Sequence, residues 1–251
     1  MLRRVASTYA RIWRTYVGWA PSLLLLGLVV FVPLGLLDAA ALKVDVDALD
    51  LTSGIKIAAF ALAVSAVTAT SLLGEVFFSG AVAVSLTHPE HKKPPPLAHI
   101  AKRLNYGRLI AVDLLYVFAV VAVAVISLPL AAVTWTIPFV WLGLSGPIVE
   151  LEEHRVRAAF ARSCSLVRHN FWFVFWILVP IELVGDVVGA LVAGVVHGLL
   201  GHSFVASWLA ESASNIVLSP FFAVAAVLLA IDLIHLKDGS GPRLNSEPAY
   251  P

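Results

Sequence analysis

No charged residue occurs between Leu114 and Val149. A helix that rises about 1.5 Å per residue crosses the hydrocarbon layer of a bilayer with about 20 residues, so this run is too long for one span. A turn near Ser127, Leu128 and Pro129 would fold it into a hairpin of two spans. Because 60% of all residues are hydrophobic and only 13% are charged, lipid must solvate much of the chain.

Further apolar runs predict four more spans. The fold class expected is therefore all-α, a polytopic membrane protein with six transmembrane helices. The second run contains Glu75, whose depth the pattern leaves open. The four runs are Thr15 to Leu37, Ile57 to about Leu86, Phe171 to about Val196, and Ser212 to Ile231.

A cleaved signal peptide is the alternative for the first run. Arg3 and Arg4 precede it, and the small residues that follow Asp38 resemble a cleavage site. The uncharged run is longer than the roughly 7 to 15 residues of a signal hydrophobic region, which favours a span.

Basic residues fall almost entirely on one side of the predicted membrane. Lys and Arg are retained in cytoplasmic segments, so their distribution over alternate loops sets the orientation. Of the 17 Lys and Arg residues, only Lys43 and Lys56 lie on the other side. We therefore expect a multi-pass protein of the bacterial cell membrane (inner or plasma membrane), with both termini in the cytoplasm.

A basic segment with apolar residues at helical spacing precedes the first, third and fifth spans, and predicts three cytoplasmic interfacial amphipathic helices. The expected membrane domain, residues 1–237, then divides into three units of interfacial helix plus hairpin: 1–90, 97–149 and 150–237. Polar residues 238–251 are expected to form a disordered cytoplasmic tail. The stripes are Leu2, Val5, Tyr9, Ile12 and Tyr16; Leu97, Ile100 and Leu104; and Val156, Phe160, Ser163 and Val167.

Seven basic side chains near these helices are candidate headgroup ligands. Arginine that reaches lipid phosphates is typical of general binding to anionic phospholipids, and recognition of one particular headgroup is the sharper alternative. Membrane lipids are thus the expected partners, and a protein partner stays open. The net charge of +1 argues against nucleic-acid binding. The seven are Arg11, Arg14, Lys102, Arg103, Arg108, Arg162 and Arg168.

Two acids lie in the middle of the predicted fifth span. Glu182 is about 16 Å beyond Phe171 along the helix, and Asp186 follows one turn later on the same face. Ionisable residues inside a bilayer are costly, so this pair is a candidate intramembrane polar site. Pro180 frees a backbone carbonyl one turn earlier, which adds an acceptor. The alternative is two acids that line a small water-filled vestibule or a helix interface.

Four other polar residues are expected to have structural roles. Asp113 and Asp232 lie near predicted cytoplasmic ends, where they are expected to reach water and the basic helices. His197 and His202 are expected to be polar anchors, because no third metal ligand has a sensible spacing.

Small residues recur along the fifth span at a spacing that lets helix backbones approach closely. We expect packing within the chain, with a dimer face as the alternative. The pairs are Gly185 with Gly189, and Gly194 with Gly198.

The sequence contains no phosphate loop, no nucleophile elbow and no His-Glu-x-x-His motif. Its single cysteine excludes a cysteine-based zinc site within one chain. We therefore expect no catalytic residue, no metal and no cofactor, and hence a protein that is not an enzyme.

One stretch between the fourth and fifth spans resembles the membrane domain of glycerophosphoryl diester phosphodiesterases and its stand-alone relatives. The resemblance implies a six-helix bundle. In the two-part enzymes, hydrolysis belongs to a separate soluble barrel, so the resemblance carries no catalytic residue to this chain. The matching residues are Pro147 to Glu150, Ala158 and Ala159, Arg162 and Ser163, Leu166 and Val167, and Phe171 and Trp172.

Three functions compete on this basis. The leading hypothesis is a non-enzymatic protein that handles lipid or serves as a membrane scaffold or partner protein. The second is an ion-coupled transporter that uses Glu182 and Asp186. An intramembrane enzyme ranks last, because no nucleophile and base occur together.

Overall fold

The computed structural model describes residues 1–41, 76–87, 96–126, 134–201 and 203–239. Within these ranges the regular secondary structure is helical and no strand occurs, which confirms the all-α prediction for them. In chain order the helices are α1 (Leu2–Ala41), α2 (Val76–Thr87), α3 (Leu97–Arg103), α4 (Tyr106–Ile126), α5 (Thr136–Leu142), α6 (Ser145–Leu151), α7 (Val156–Val167), α8 (Phe171–Leu200) and α9 (Phe204–Asp238).

Three of the described helices are long and apolar enough to cross a membrane: Leu2–Leu36 of α1, α8 and α9. They correspond to the predicted first, fifth and sixth spans. The long uncharged run forms α4 and then the shorter apolar helices α5 and α6. The proposed turn at residues 127–129 and Glu75 both lie outside the described residues.

The basic segment at the N-terminus is not a separate interfacial helix. α1 runs unbroken from Leu2 to Ala41 and contains Pro21 and Pro33. Ile12 is fully buried, and Tyr9 and Tyr16 pack against the core. Apolar residues at helical spacing show only that one face of a helix is covered, and they do not show by what. In α1 other parts of the protein cover this face, whereas the sequence suggested lipid.

The other two stripes do lie on separate short helices, α3 and α7, and both stripes contact the bundle. α3 turns Ile100 into the core, and Leu104 directly after it is also buried. α7 buries Ser163 and Val167, and the Ser163 hydroxyl donates a hydrogen bond to the Trp141 carbonyl at 2.7 Å. Both helices therefore pack their apolar side on the bundle.

Ion pairs join the basic segments at one end of the bundle. Arg11 of α1 pairs with Asp232 of α9. Arg162 of α7 binds Glu152 through two hydrogen bonds of 2.8 and 2.9 Å, and it also pairs with Asp238. The hydrogen bonds that the Arg162 guanidinium donates to Glu152 raise the pKa of Arg162 above its ordinary value. The cluster links α7 to the last turn of α9.

We call this region the basic end: the first half of α1, α3, the start of α4, α7 with its flanking residues, the start of α8 and the end of α9. Arg108 at the start of α4 joins it by donating to the Glu153 carbonyl at 3.1 Å. The Arg4 guanidinium lies over the Phe173 ring at the start of α8. Every Lys and Arg within the described ranges belongs to these segments.

The first residue of the predicted tail belongs to α9. Asp238 is still helical and paired with Arg162, and Gly239 ends α9 with a φ of 70°. Its backbone N–H donates to the His235 carbonyl, as is common where a glycine closes a helix. The remaining residues of the predicted tail lie outside the described ranges.

α1 and α9 pack closely in opposite directions. A Cβ added at Gly27 would lie 3.2 Å from the Ile216 carbonyl oxygen. Further along, the Trp208 indole N–H of α9 donates to the Val32 carbonyl of α1 at 2.9 Å. α8 also packs against both helices. The three long helices therefore form one unit, and the candidate site lies in it.

Candidate functional site

A groove of about 830 Å³ lies between α1, α8 and α9. Its volume falls within the roughly 300 to 1,000 Å³ that is usual for small-molecule sites. Pro180, Glu182 and Asp186 all line it. The structure thus brings the three residues of the predicted polar site together in one cavity.

Helical spacing explains which side chains line the groove. Residues three or four positions apart share a face, as Tyr9, Trp13 and Tyr16 do on α1. The groove face of α8 combines the two acids with small residues that leave the space open. α9 supplies both polar and apolar side chains. The small residues on α8 are Gly185, Gly189, Ala190 and Ala193, and the α9 lining is Ser214, Asn215, Val217, Leu218, Ser219, Phe221 and Phe222.

The two carboxylates are near the middle of α8. Glu182 is partly buried and Asp186 is exposed. Within the described part of the chain, neither accepts a hydrogen bond or forms an ion pair, and the charge that acts on Glu182 is that of Asp186. The described groove lining contains no Lys, Arg or His. Among the described residues, the groove therefore has an acidic centre without a counter-charge.

The Tyr9 hydroxyl donates a hydrogen bond to the carbonyl that Pro180 leaves without a helical donor. Proline has no N–H, so the Trp176 carbonyl one turn earlier lacks its helical donor. The Tyr9 hydroxyl lies 3.0 Å from the Trp176 oxygen and 3.1 Å from the Ile177 oxygen and donates to them. The sequence suggested that this carbonyl would serve the site as an acceptor, which stays a prediction. In the structure the carbonyl accepts from Tyr9 and so joins α1 to α8.

A second tyrosine makes a similar contact with α9. Pro220 deprives the Ile216 carbonyl of its helical donor. The Tyr16 hydroxyl donates to the neighbouring Val217 carbonyl at 3.1 Å. The sequence placed both tyrosines in a membrane-surface stripe and missed these contacts. These contacts could have been suspected from two features of the sequence. Tyr9 and Tyr16 lie at helical spacing in α1, and each partner helix contains a proline, Pro180 or Pro220.

Aromatic rings form one wall of the groove. The Trp13 and Tyr16 ring centroids are 6.2 Å apart, and Phe221 lies 6.3 Å from Trp13 and 5.6 Å from Tyr16. Trp13 is 59% exposed, so protein leaves much of its ring uncovered. The wall that α1 and α9 form therefore offers aromatic surface to a ligand.

Polar groups on α9 add acceptors. The Ser214 hydroxyl donates to the Ala210 carbonyl at 2.9 Å, which leaves its oxygen lone pairs free to accept. Asn215 is partly buried and lines the same groove. The site therefore holds carboxylate, hydroxyl and amide oxygens within apolar walls.

The candidate headgroup ligands divide into two sets. Arg11, Arg108 and Arg162 bond to acidic side chains or to a backbone carbonyl at the basic end. The second set is Arg14, Lys102, Arg103 and Arg168, all of them exposed; within the described ranges, Arg14 donates only within α1, to the Ala10 carbonyl at 3.3 Å. The second set is better suited to contact lipid phosphate, because the first set binds other segments of the bundle.

The prediction made for Asp232 and Asp113 holds for the first residue and fails for the second. Asp232 reaches the basic N-terminal segment through Arg11, as expected. Asp113 is only 1% exposed, and neither of its oxygens has a hydrogen-bond partner among the described residues. The expectation that Asp113 reaches water was wrong, because its position along the helix says nothing about what covers that face of α4.

Of the four glycines, only Gly189 lies against another described helix. A Cβ added at Gly185, Gly194 or Gly198 would meet no described atom within 4 Å, whereas one at Gly189 would lie 3.8 Å from the Ser214 side chain of α9, an ordinary van der Waals contact. Among the described residues, the expected packing role within the chain is therefore supported at Gly189 alone. Two of these glycines line the groove.

The described residues contain no group of three or more His, Cys, Asp or Glu side chains that could hold a metal ion. The ring of His197 lies 3.2 Å from the Gly201 carbonyl at the end of α8, and His202 lies outside the described residues.

Comparisons of the chain with family models, with curated proteins and with solved structures found no match. The resemblance to the membrane domain of glycerophosphoryl diester phosphodiesterases therefore stays a prediction.

Proposed function

We propose that this chain is a multi-pass membrane protein that handles a lipid or a lipid-like amphiphile, bound in the groove between α1, α8 and α9. The observation that carries this proposal is a groove of ligand size with mostly apolar walls and a polar centre. An amphiphile has the same two parts: its apolar body fits the walls, and its polar group fits Glu182 and Asp186.

The position of the groove favours entry from the bilayer. The acids lie near the middle of α8, which is long enough to span a membrane. Large apolar side chains on α8, such as Leu183, Val187 and Leu191, are exposed as expected of a face that lipid covers. A ligand that is already dissolved in the bilayer then reaches the groove laterally.

The proposal includes six spans and cytoplasmic termini. Support comes from the five apolar runs of the sequence, one of which is long enough for two spans, and from the basic end, where the described Lys and Arg residues gather. Anionic phospholipids would then contact the exposed basic residues Arg14, Lys102, Arg103 and Arg168. Membership of the phosphodiesterase membrane-domain family would add the same six-helix bundle and no activity.

Cysteine labelling tests this orientation, because Cys164 is the only native cysteine. In a Cys164→Ser background, Arg168→Cys and Leu200→Cys place single thiols at opposite ends of α8. We expect a membrane-impermeant maleimide to label Leu200→Cys in intact cells and Arg168→Cys only after permeabilisation. The reverse pattern would show that the basic end faces outward, and labelling of both in intact cells would show that α8 does not span.

Native mass spectrometry of the protein released from its own membrane tests the groove. We expect the wild type to retain one lipid class and the Glu182→Gln/Asp186→Asn variant to lose it, because the variant removes both charges with little change in shape. Glu153→Gln is the matched control, since Glu153 is exposed at the basic end and away from the groove. Equal retention by all three proteins would contradict the proposal.

An ion-coupled transporter is the second candidate. It is favoured by two carboxylates without a described counter-charge near the middle of a helix of spanning length. The same three proteins, reconstituted in vesicles with a pH gradient, separate the candidates. Proton flux that depends on both carboxylates would favour transport. Lipid retention without proton flux would leave lipid handling as the function.

A further inference from the structure

The charge of the groove indicates which class of amphiphile it takes. We propose that the ligand is an amphiphilic organic cation, such as a protonated amine or a quaternary ammonium with a hydrocarbon body. Its positive group would lie between Glu182 and Asp186. This inference rests on the proposed function, because it names the ligand of the same groove.

The first argument is the charge balance. Glu182 and Asp186 lie one turn apart on one face of α8, and like charges at this spacing repel. The repulsion grows as the surrounding medium becomes less polar. A cation between the two carboxylates replaces this repulsion with two attractions, whereas an anionic headgroup would add a third like charge. The groove and the basic end therefore suit ligands of opposite sign.

The second argument is the aromatic wall. A cation is attracted to the face of Trp, Tyr or Phe when it lies within about 6 Å of the ring centre. Trp13, Tyr16 and Phe221 stand together in the groove, and Trp13 is largely uncovered. The Tyr9 and Tyr16 hydroxyls donate to backbone carbonyls. These tyrosines therefore present rings and oxygen lone pairs to a ligand, and no hydroxyl proton that an anion would need.

The third argument is size. A bare metal ion requires a tight shell of several oxygen ligands, and the groove of about 830 Å³ is far larger than such a shell. Most of its lining is apolar, with Ile181, Val184 and Leu218 among the walls. A bound metal ion would leave these surfaces uncovered. An organic cation fills both the charged centre and the apolar walls.

A pair of probes with one shape and opposite charge tests the inference. Tetraphenylphosphonium is a permanent cation, and tetraphenylborate is an anion of nearly the same size. With the full chain in a neutral detergent, calorimetry should show that the wild type binds the cation at least about tenfold more tightly, a difference of about 1.4 kcal/mol. Glu182→Gln/Asp186→Asn should remove this preference, and Glu153→Gln should keep it.

The outcomes separate this inference from the proposed function. Equal affinity of the wild type for the two probes, or an unchanged preference in the double variant, would overturn the cation and leave a groove that binds amphiphiles. A wild type that binds neither probe and retains no lipid would overturn both. Thermal unfolding of the double variant must first show that it is folded. A loss of preference for the cation can then be attributed to the missing carboxylates.

The source of the cation is a separate result of the same measurements. An amine-bearing lipid carried through purification, and displaced by tetraphenylphosphonium, would identify the bilayer as the source. A groove that binds the probe but carries no lipid would identify a smaller amphiphile that enters from outside the lipid pool.

Discussion

Gly146→Val is expected to destabilise the protein more than any other single change considered above. Gly146 lies in α6 against α2, and a Cβ there would lie 2.4 Å from the Val76 carbonyl oxygen and 2.7 Å from the Ser79 hydroxyl. Because the closest atom belongs to the backbone, α2 would have to move as a unit. Overpacking of this kind costs about 1 to 3 kcal/mol or more. Thermal unfolding in detergent should show a clear fall in the transition temperature.

Gly194→Ala is the matched control. Gly194 lies inside α8, and a Cβ there would meet no described atom within 4 Å. Alanine is a better helix former than glycine by about 1 kcal/mol, so this variant should unfold at the same or a slightly higher temperature. Wild-type stability of Gly146→Val would mean that α2 does not lie against α6 as described.

Asp113→Leu is expected to stabilise the protein, although it replaces an acidic residue in the core. Both oxygens of Asp113 are buried without a hydrogen-bond partner in the described part of the chain, and leaving such a group unsatisfied costs roughly 1 to 3 kcal/mol. Leucine has the same branching and number of heavy atoms. It removes the unsatisfied oxygens without opening a cavity. The free energy of unfolding should therefore rise by an amount of that order.

Asp232→Leu is expected to have the opposite effect on stability. Asp232 pairs with Arg11, so its removal leaves a partly buried guanidinium without this partner and should lower the stability by about 0.5 to 1 kcal/mol. If Asp113→Leu also lowered the stability, while Asp113→Asn did not, the Asp113 side chain would have a polar partner in the native protein.

The two acids of α8 show how much of the site can be predicted from the sequence. Glu182 and Asp186 share a face because residues four apart always do so in a helix, and their distance from the start of α8 follows from the rise per residue. The groove face of α8 was therefore predictable from local geometry. Three helices of spanning length follow equally well from uninterrupted apolar runs.

Contacts between distant parts of the chain were not predictable in this way. The partner of the Tyr9 hydroxyl lies 167 residues away, and no local pattern specifies it. The apolar stripe of α1 was read as a lipid-facing surface because periodicity does not distinguish lipid from protein as the covering material. Asp113 was misplaced for the same reason, since what covers a helix face depends on other helices.

The tyrosine contacts also constrain when the groove can form during synthesis. Tyr9 and Tyr16 belong to α1, which is synthesised before α8 and α9, whereas the carbonyls that accept from them lie in these two later helices. Until α8 and α9 have been made, the two hydroxyls have no such acceptors, and two of the three groove walls do not exist. The groove is therefore confined to chains in which α9 has been made, and a nascent intermediate stalled before α9 would lack it.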